Sequence, residues 1–252
     1  MRSIFFKNNF EYKLEVEGEQ WRQGEQIKGK LGIRNITGSE FNIKKLQLIM
    51  AHGLKKVIKE KGNADWEIHE KILISQNLSV QNSFEQNWDW SFNLSTDCPI
   101  TDKYGGLFLL FGGDNVLHEG GRLDLYIQLH PILQNFLQTF TTQFRFLEKY
   151  QKRRADWTEI KLVPPDSREF PNMDYVCCFM RIHQECLEVR YRFKMSGLGR
   201  SGQQIKITRK NREIEQSISK ADYYQQGGFP NRSCFRENID QALNIARPEV
   251  IF

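Results

Sequence analysis

Cys177, Cys178, His183 and Cys186 are the residues of this 252-residue sequence that come nearest to a metal-binding group. Thiolate sulfur and imidazole nitrogen are the ligands that zinc prefers. Neighbouring residues of a strand point to opposite faces, so Cys177 and Cys178 would reach one metal only across a bulge. A second pair of ligands at suitable spacing is also missing from the sequence. Because cysteine packs well as a small apolar side chain, we predict core cysteines here, with no metal and no cofactor.

Nucleophilic or nucleotide chemistry has equally little support in the residue spacing. The sequence holds five cysteines and five histidines, but nothing joins one particular cysteine to one histidine, and no Gly-x-Ser-x-Gly elbow occurs. The run from Gly197 to Gly202 is close to a dinucleotide-binding loop, yet residues 203–207 predict a strand where such a site needs a helix N-terminus. We therefore predict a hairpin loop there and a protein that is not an enzyme. A hydrolase or metal enzyme that uses Cys or His remains an alternative.

Residues 190–212 contain eight basic side chains and no acidic one. The set is Arg190, Arg192, Lys194, Arg200, Lys206, Arg209, Lys210 and Arg212. The first three alternate with Tyr191 and Phe193, so they should share one exposed face of a strand. Such a face often serves only to stay in water and to discourage aggregation at sheet edges.

The alternative for these basic residues is a surface that binds an acidic protein segment or an anionic membrane headgroup. We predict this partner-binding role for all eight residues. Nucleic acid is a weaker candidate, because aromatic residues that alternate with basic ones on a strand point inward instead of stacking on bases.

The amino-acid composition is typical of a folded protein. Hydrophobic residues make up 39% of the chain and charged residues 27%, so a core can form. The net charge of +5 permits an acidic partner but is small for a nucleic-acid binder. The early apolar run Ile4–Phe6 is too short for a secretory signal, and we expect no membrane span. The odd number of irregularly spaced cysteines is unlike a disulfide framework, so we expect the reducing cytoplasm.

Alternating apolar residues run through most of the sequence. The alternation is seen in residues 12–16 and 123–129, and again in residues 176–182 and 187–195. Many short strands with turn residues between them predict antiparallel sheets packed as sandwiches.

Two segments follow helical spacing instead. Apolar residues from Ile132 to Phe140 recur at helical intervals, and Pro131 suits a first helical turn. A second helix is predicted from Ser233, as N-cap, to about residue 246, with Pro248 beyond its end. The pattern of residues 213–226 is ambiguous between strand and helix.

Residues 17–34 carry a more specific order of residue types. An aromatic residue precedes a turn at Gly24, and a strand with alternating apolar residues follows around Gly29. Gly29 lies on the apolar side of that strand without a side chain, which predicts a bulge or a close backbone neighbour. This order resembles the first strands of arrestin-like domains.

Three later segments extend the resemblance. Residues 88–101 resemble an arrestin-like strand that ends in a polar turn with Pro99 and Thr101. Residues 123–146 resemble the strand, short helix and Phe-rich strand that join two domains in the bacterial arrestin-like sporulation-control family, and residues 163–193 resemble the second domain of that family. There are two departures: position 23, often Pro in arrestin-like domains, is Gln here, and the sequence from Ser196 onward matches only faintly.

The resemblance implies an all-β fold of two immunoglobulin-like (arrestin-like) β-sandwich domains joined by a short helix, with a further helix near the C-terminus. The first sandwich would span residues 1–129, the linker helix 130–140, and the second sandwich with its helical tail 141–252.

The resemblance also implies a non-enzymatic cytoplasmic adaptor that binds a protein partner in bacterial regulation, on strand edges or sheet faces. A peripheral membrane protein or other binder of anionic partners, using the basic face, is the first alternative. The Cys/His-dependent enzyme is the second. Homodimers through sheet edges are a further expectation, because long strand edges pair easily.

Overall fold

Most of the described residues lie in strands and a smaller share in helices, which confirms the prediction of a mainly β protein. The computed structural model describes residues 1–36, 41–61, 65–80, 85–167, 169–201 and 204–246; residues 41, 61, 197–201 and 204–208 are described by their backbone alone. The chain divides into two units, Met1–Gln128 and Leu129–Phe252.

The first unit is built from ten strands and two short helices among its described residues. The strands are β1 (Arg2–Lys7), β2 (Phe10–Val16), β3 (Trp21–Arg22), β4 (Gln26–Asn35), β5 (Phe41–Leu54), β6 (Glu67–Val80), β7 (Glu85–Asn93), β8 (Gly105–Gly112), β9 (Gly121–Asp124) and β10 (Ile127–Gln128). The helices are α1 (Lys55–Lys61) and α2 (Val116–Glu119). Two four-stranded antiparallel sheets have the orders β1-β2-β4-β7 and β6-β5-β8-β9, and β3 and β10 form a short parallel pair.

The two four-stranded sheets share one hydrophobic core. Leu14, Leu31 and Phe92 of the first sheet and Leu48 and Phe111 of the second are fully buried in it. Each strand places every second side chain toward the other sheet, which is the layering of a β-sandwich.

The second sheet is also covered on its outer side. Phe108 and Leu110 pack there with Ile58 of α1, Leu117 of α2 and Trp66. Strand β8 is therefore buried at every residue, so its sequence is a continuous apolar run instead of an alternating one.

The turn and the close approach predicted around Gly24 and Gly29 are both confirmed. Gly24 has φ +87°, a conformation that glycine adopts without strain. A Cβ at Gly29 would lie 2.0 Å from the carbonyl oxygen of Glu15 on β2, so only glycine fits between these strands. Gln23, which replaces the frequent Pro, is buried and donates from Nε2 to the carbonyl oxygen of Cys98 at 2.5 Å.

The second unit consists, among its described residues, of one sheet and three helices. The strands are β11 (Leu147–Arg154), β12 (Trp157–Val163), β13 (Met173–His183), β14 (Cys186–Ser201) and β15 (Gln204–Ser219). The helices are α3 (Pro131–Thr142), α4 (Lys220–Tyr223) and α5 (Arg232–Ala246). The strands form an antiparallel meander in chain order.

This arrangement corrects the prediction of a second β-sandwich. Helices cover the inner face of the described sheet, where a sandwich would place a second sheet: Phe140 of α3 packs on Tyr191 with ring centroids 6.2 Å apart, and Phe136 packs on Phe235 of α5 at 5.4 Å. Alternation at residues 176–182 shows only that one face of a strand is buried, and either a sheet or a helix can bury it. Helix α3, predicted as a linker, lies within this unit.

Both predicted helices are confirmed, with one correction at a cap. Helix α5 begins at Arg232, and the side chain of Asn231 accepts a hydrogen bond from the backbone N–H of Cys234 at 3.3 Å. Asn231 is therefore the N-cap, and the predicted cap Ser233 lies within the helix. Pro248 lies outside the described residues. Of the ambiguous residues 213–226, residues 213–219 form the end of β15 and residues 220–223 form α4.

The hairpin predicted after Met195 is confirmed, but residues 197–201 are not its loop. Pairs from Gly197↔Thr208 to Ser201↔Gln204 continue the ladder of β14 and β15, so residues 197–201 are strand. Residues 202 and 203 lie outside the described residues.

Candidate functional site

The cysteine and histidine group is split between the two faces of the second-unit sheet. Cys178 pairs with Tyr191 and lies in the core, whereas its neighbour Cys177 pairs with Arg192 on the opposite face. Burial raises the pKa of the Cys178 thiol well above its usual value, and burial followed by the charge of Glu159 raises that of Cys177. Both thiols therefore stay protonated at neutral pH, which makes them poor nucleophiles and poor metal ligands.

His183 and Cys186 are brought together by the turn between β13 and β14. They are the last registered pair of the hairpin, and the two turn residues, Gln184 and Glu185, have φ of +47° and +62°. Among the described residues, His183 and Cys186 are not hydrogen-bonded to each other. The same residues contain no group of three or more His, Cys, Asp or Glu side chains that could hold a metal ion.

The outer face of the five-stranded sheet carries charged and aromatic side chains from all five strands. Strand pairing aligns alternate residues of all five strands on this side. We call it the charged face; its members are Tyr150, Lys152, Arg154, Trp157, Glu159, Lys161, Tyr175, Cys177, Phe179, Arg181, Glu188, Arg190, Arg192, Lys194, Asn211, Glu213 and Glu215.

Glu159 is the buried centre of one part of this face. Its side chain is only 5% exposed, and it accepts a hydrogen bond from the hydroxyl of Tyr150 at 2.7 Å. Lys152 Nζ lies 3.3 Å from one carboxylate oxygen, and Arg154 Nη1 lies 3.4 Å from the other. Burial, and next the hydrogen bond to Glu159, raises the pKa of Tyr150, so its hydroxyl remains a donor. Two cations and one hydroxyl thus compensate the buried charge.

Cross-strand pairs supply the acids that the basic stretch itself lacks. Arg190 Nε lies 2.6 Å from Glu215, and Arg192 Nε lies 2.7 Å from Glu213. Residues 190 and 215 are registered directly opposite each other on β14 and β15, as are residues 192 and 213. The acid-free interval ends at residue 212, so its counter-charges are the next acidic residues along the chain, folded back by the hairpin.

Cations also cover the aromatic rings of this face. Arg181 and Arg190 place their guanidinium carbons 4.3 Å and 5.1 Å from the ring centroid of Trp157. Lys161 Nζ lies 3.8 Å from the ring centroid of Tyr175. Such contacts stabilise the face by about 0.5–1 kcal/mol each where they are exposed. They also hold long side chains in fixed positions, which lowers the entropy lost when a partner binds.

The eight predicted partner-binding residues do not form one surface. Arg190, Arg192 and Lys194 are half-exposed on the charged face, which confirms their predicted common orientation. By register Arg209, opposite Ser196, is on the same side. Lys210 and Arg212 are registered opposite Met195 and Phe193 and so belong to the other side, where Arg212 donates to the carbonyl oxygen of Ile245. The side chains of Arg200 and Lys206 lie outside the described residues. Their partner-binding role stays a prediction.

Sequence reasoning missed the contribution of β12. Trp157, Glu159 and Lys161 stand at alternate positions of one strand, and each contacts at least one cation or ring of a neighbouring strand. The alternation of an aromatic, an acid and a base was visible, but their partners come from β11 and β13 and could not be read from it.

Within the described ranges, no helix combines the length and the apolar character that crossing a bilayer requires.

Comparisons with known proteins bear on the fold. The sequence matches no protein-family model and no curated protein sequence. Among solved structures, Spo0M, a sporulation control protein from Bacillus subtilis, superposes with a TM-score of 0.65 at 12% identity, covering 96% of this chain and 100% of that one. The alkylpurine DNA glycosylase AlkC of Pseudomonas fluorescens, solved with DNA containing an abasic site analogue, gives a TM-score of 0.28 at 14% identity over 45% of this chain and 29% of that one. The C-terminal domain of wzt gives 0.30 at 10% identity over 51% and 79%.

The last two TM-scores are too low to carry an argument, and an identity of 12% to Spo0M speaks for the fold alone. The agreement extends over nearly all of both chains. It confirms, at the level of fold, the resemblance to the bacterial sporulation-control family that the short sequence segments indicated. The chain has a Spo0M-like, arrestin-like β-rich fold.

Proposed function

We propose that this protein is a regulatory scaffold that acts in the bacterial cytoplasm, without catalysis, by binding a protein partner. The Spo0M-like fold supports a regulatory role, since the similar protein is described as a sporulation control protein. The observation that carries the proposal is the charged face, in which arginine and aromatic side chains are ordered by one another and remain half-exposed.

The arginine and aromatic side chains of this face are of the types enriched at protein interfaces. Arginine, tryptophan and tyrosine are the residues that contribute most to binding at protein interfaces. Trp157 and Tyr175 are half-exposed, and each already has a cation packed on its ring. A partner that covers them buries large rings whose positions are preset by their neighbours.

The enzyme alternative has less support. A nucleophilic cysteine needs a lowered pKa, and the pKa values of Cys177, Cys178 and Cys234 are all raised, chiefly by burial. Cys186 lies beside His183 in register, but the described structure records no hydrogen bond that would activate it.

The membrane alternative rests on the cations of the same face. Four glutamates, Glu159, Glu188, Glu213 and Glu215, are interspersed with them at contact distance. An anionic bilayer attracts clusters of like-signed basic residues, so this mixed pattern favours a protein partner.

Site-directed photo-crosslinking in cells of the source organism tests the scaffold role. A photoreactive phenylalanine derivative replaces Trp157 on the charged face, and in the matched control it replaces Tyr104, which is 54% exposed in the first unit. We expect a discrete protein adduct at position 157 that is absent at position 104. Failure to form an adduct at position 157 argues against the proposal. So does turnover of ester, phosphate or peptide substrates by the purified protein that is lost in Cys186→Ala.

A further inference from the structure

Most cations of the charged face are paired with a carboxylate, but two of them have no such partner among the residues that the structure describes. Arg181 pairs with Glu188 at 2.6 Å. Lys152 and Arg154 pair with Glu159, and Arg190 and Arg192 pair with Glu215 and Glu213. Lys161 and Lys194, in contrast, form no ion pair with any residue that the structure describes. Both are half-exposed, so they remain accessible from solvent.

These two lysines flank a single aromatic ring. Lys161 Nζ lies over Tyr175 at 3.8 Å from the ring centroid, and Tyr175 is registered directly opposite Lys194 on the neighbouring strand. Lys194 Nζ donates one hydrogen bond, to Asn211 Oδ1 at 3.2 Å. We call Lys161, Tyr175, Lys194 and Asn211 the lysine–tyrosine site.

The site has hydrogen-bond capacity left for an anion. An ammonium group has three donors and Lys194 uses one of them on a neutral amide, while the Asn211 NH₂ group still has donors to offer. A carboxylate placed here would form charge-assisted hydrogen bonds, which are about twice as strong as neutral ones. The nearest acid along β13, Asp174, already accepts a hydrogen bond from Ser196 at 2.8 Å, and Arg209 adds a further exposed cation by register.

We propose that the lysine–tyrosine site binds an acidic segment of a protein partner in extended conformation. The inference rests on the proposed scaffold function and names the chemistry of its partner. Lys161 and Lys194 lie two strands apart, which is about 10 Å at a strand spacing of about 4.8 Å. Lys161 is registered opposite Cys177 and Lys194 opposite Tyr175, so Lys194 also stands about 7 Å further along the strands, and the two Cα atoms are about 12 Å apart. Side chains four residues apart on one side of an extended peptide are about 13 Å apart, so carboxylates at that spacing reach both ammonium groups. The residue midway between them faces the same side and contacts the ring of Tyr175.

A protein segment fits this site better than a bilayer does. Asp174, next to the site, would repel a uniformly anionic surface, whereas an extended peptide is narrow enough to meet the lysines and avoid this acid. A peptide can also place uncharged residues against the rest of the face, which a layer of headgroups cannot.

Fluorescence anisotropy with the full-length protein and a labelled octaglutamate peptide at low salt tests the inference. The double variant Lys161→Glu, Lys194→Glu reverses both charges, and a second variant, Lys161→Gln, Lys194→Gln, removes them with little change of shape. The matched control is Lys28→Glu, Lys30→Glu, which makes the same charge change at two lysines about 60% exposed on β4 of the first unit.

We expect the wild-type protein and the control variant to bind octaglutamate and not octaglutamine. The charge-reversed variant should bind at least about tenfold more weakly, and the glutamine variant should lie between it and wild type, since loss of attraction costs less than repulsion. Equal affinity of wild type and the charge-reversed variant overturns the inference. So does a lack of peptide binding, whether or not vesicles of phosphatidylglycerol bind instead.

The outcome is separable from that of the scaffold proposal. A protein adduct at position 157 that persists in the charge-reversed variant, together with absent peptide binding, removes the acidic-segment inference and leaves the scaffold role standing. Circular dichroism of each variant checks that the sheet is still folded.

Discussion

Replacing Gly29 by alanine should destabilise the first unit strongly, because the backbone of the next strand occupies the space of the new methyl group. A Cβ at Gly29 would lie 2.0 Å from the carbonyl oxygen of Glu15 and 2.9 Å from a ring carbon of Trp90. Carbon–oxygen contacts between strands are about 3.3 Å at closest, so β2 and β4 must separate by about 1.3 Å.

That separation sets the expected cost. It weakens about two ladder hydrogen bonds, at about 1 kcal/mol each, and overpacks a core in which Trp90 is 5% exposed, at about 1–3 kcal/mol. We expect Gly29→Ala to lower the free energy of unfolding of the first unit by about 3–5 kcal/mol.

Gly32→Ala on the same strand is the matched control. A Cβ there would lie 2.4 Å from Asn87 Oδ1, the tip of an exposed side chain that can rotate away, and the nearest backbone atom, Lys13 O, is 3.7 Å distant. This variant should stay within about 1 kcal/mol of wild type, helped by the lower entropy of its unfolded chain.

Urea unfolding followed by tryptophan fluorescence measures both variants. Four of the five tryptophans lie in the first unit: Trp21, Trp66, Trp88 and Trp90. With a slope of about 2–3 kcal/mol per molar urea, the midpoint for Gly29→Ala should fall by more than about 1 M. A Gly29→Ala protein that unfolds within 1 kcal/mol of wild type, or no more easily than Gly32→Ala, would refute the argument from strand spacing.

Three further predictions concern the second unit. Glu159→Gln should lower the free energy of unfolding of the second unit by about 1–3 kcal/mol, because two cations lose their shared buried counter-ion. The control Glu213→Gln removes an acid whose side chain is 51% exposed, so it should change that free energy by under about 1 kcal/mol. The same urea experiment measures both variants. Cys178 should resist a thiol reagent in the native protein even at pH 9 and react only on unfolding, because burial raises the pKa of its thiol. Mass spectrometry measures the labelling. Labelling of Cys178 in the native protein below pH 8 would contradict this expectation. Replacing Gln184-Glu185 by Asn-Gly should raise the thermal midpoint of unfolding, since both residues have positive φ and Asn-Gly adopts this two-residue turn with less strain. An unchanged or lower midpoint would show that loss of the ion pair between Glu185 and Lys220 costs more than the relief of backbone strain gains.

Local pattern was sufficient for much of the fold. Alternation identified the strands, the helical spacing after Pro131 identified α3, and Gly24 and Gly29 marked a turn and a close approach that are both present. These features depend on residues a few positions apart, whose side-chain directions follow from backbone geometry alone.

What covers a buried face could not be obtained in this way. The inner side of β13 needs an apolar neighbour, and helices α3 and α5 satisfy that need as well as a second sheet would. The choice depends on packing between segments up to about a hundred residues apart, such as Phe136 on Phe235, which no local pattern encodes.

The same distinction between local pattern and tertiary packing applies to the candidate site. The sequence by itself determined that Arg190, Arg192 and Lys194 share one face, because side chains alternate along a strand. Only the tertiary structure decided that Glu215 and Glu213 neutralise the two arginines, while Lys194, opposite Tyr175, has no such acid among the described residues. The physical reason is that charge compensation depends on cross-strand register. That register is set by the pairing of β12, β13, β14 and β15, and the order of residues along any one strand does not contain it.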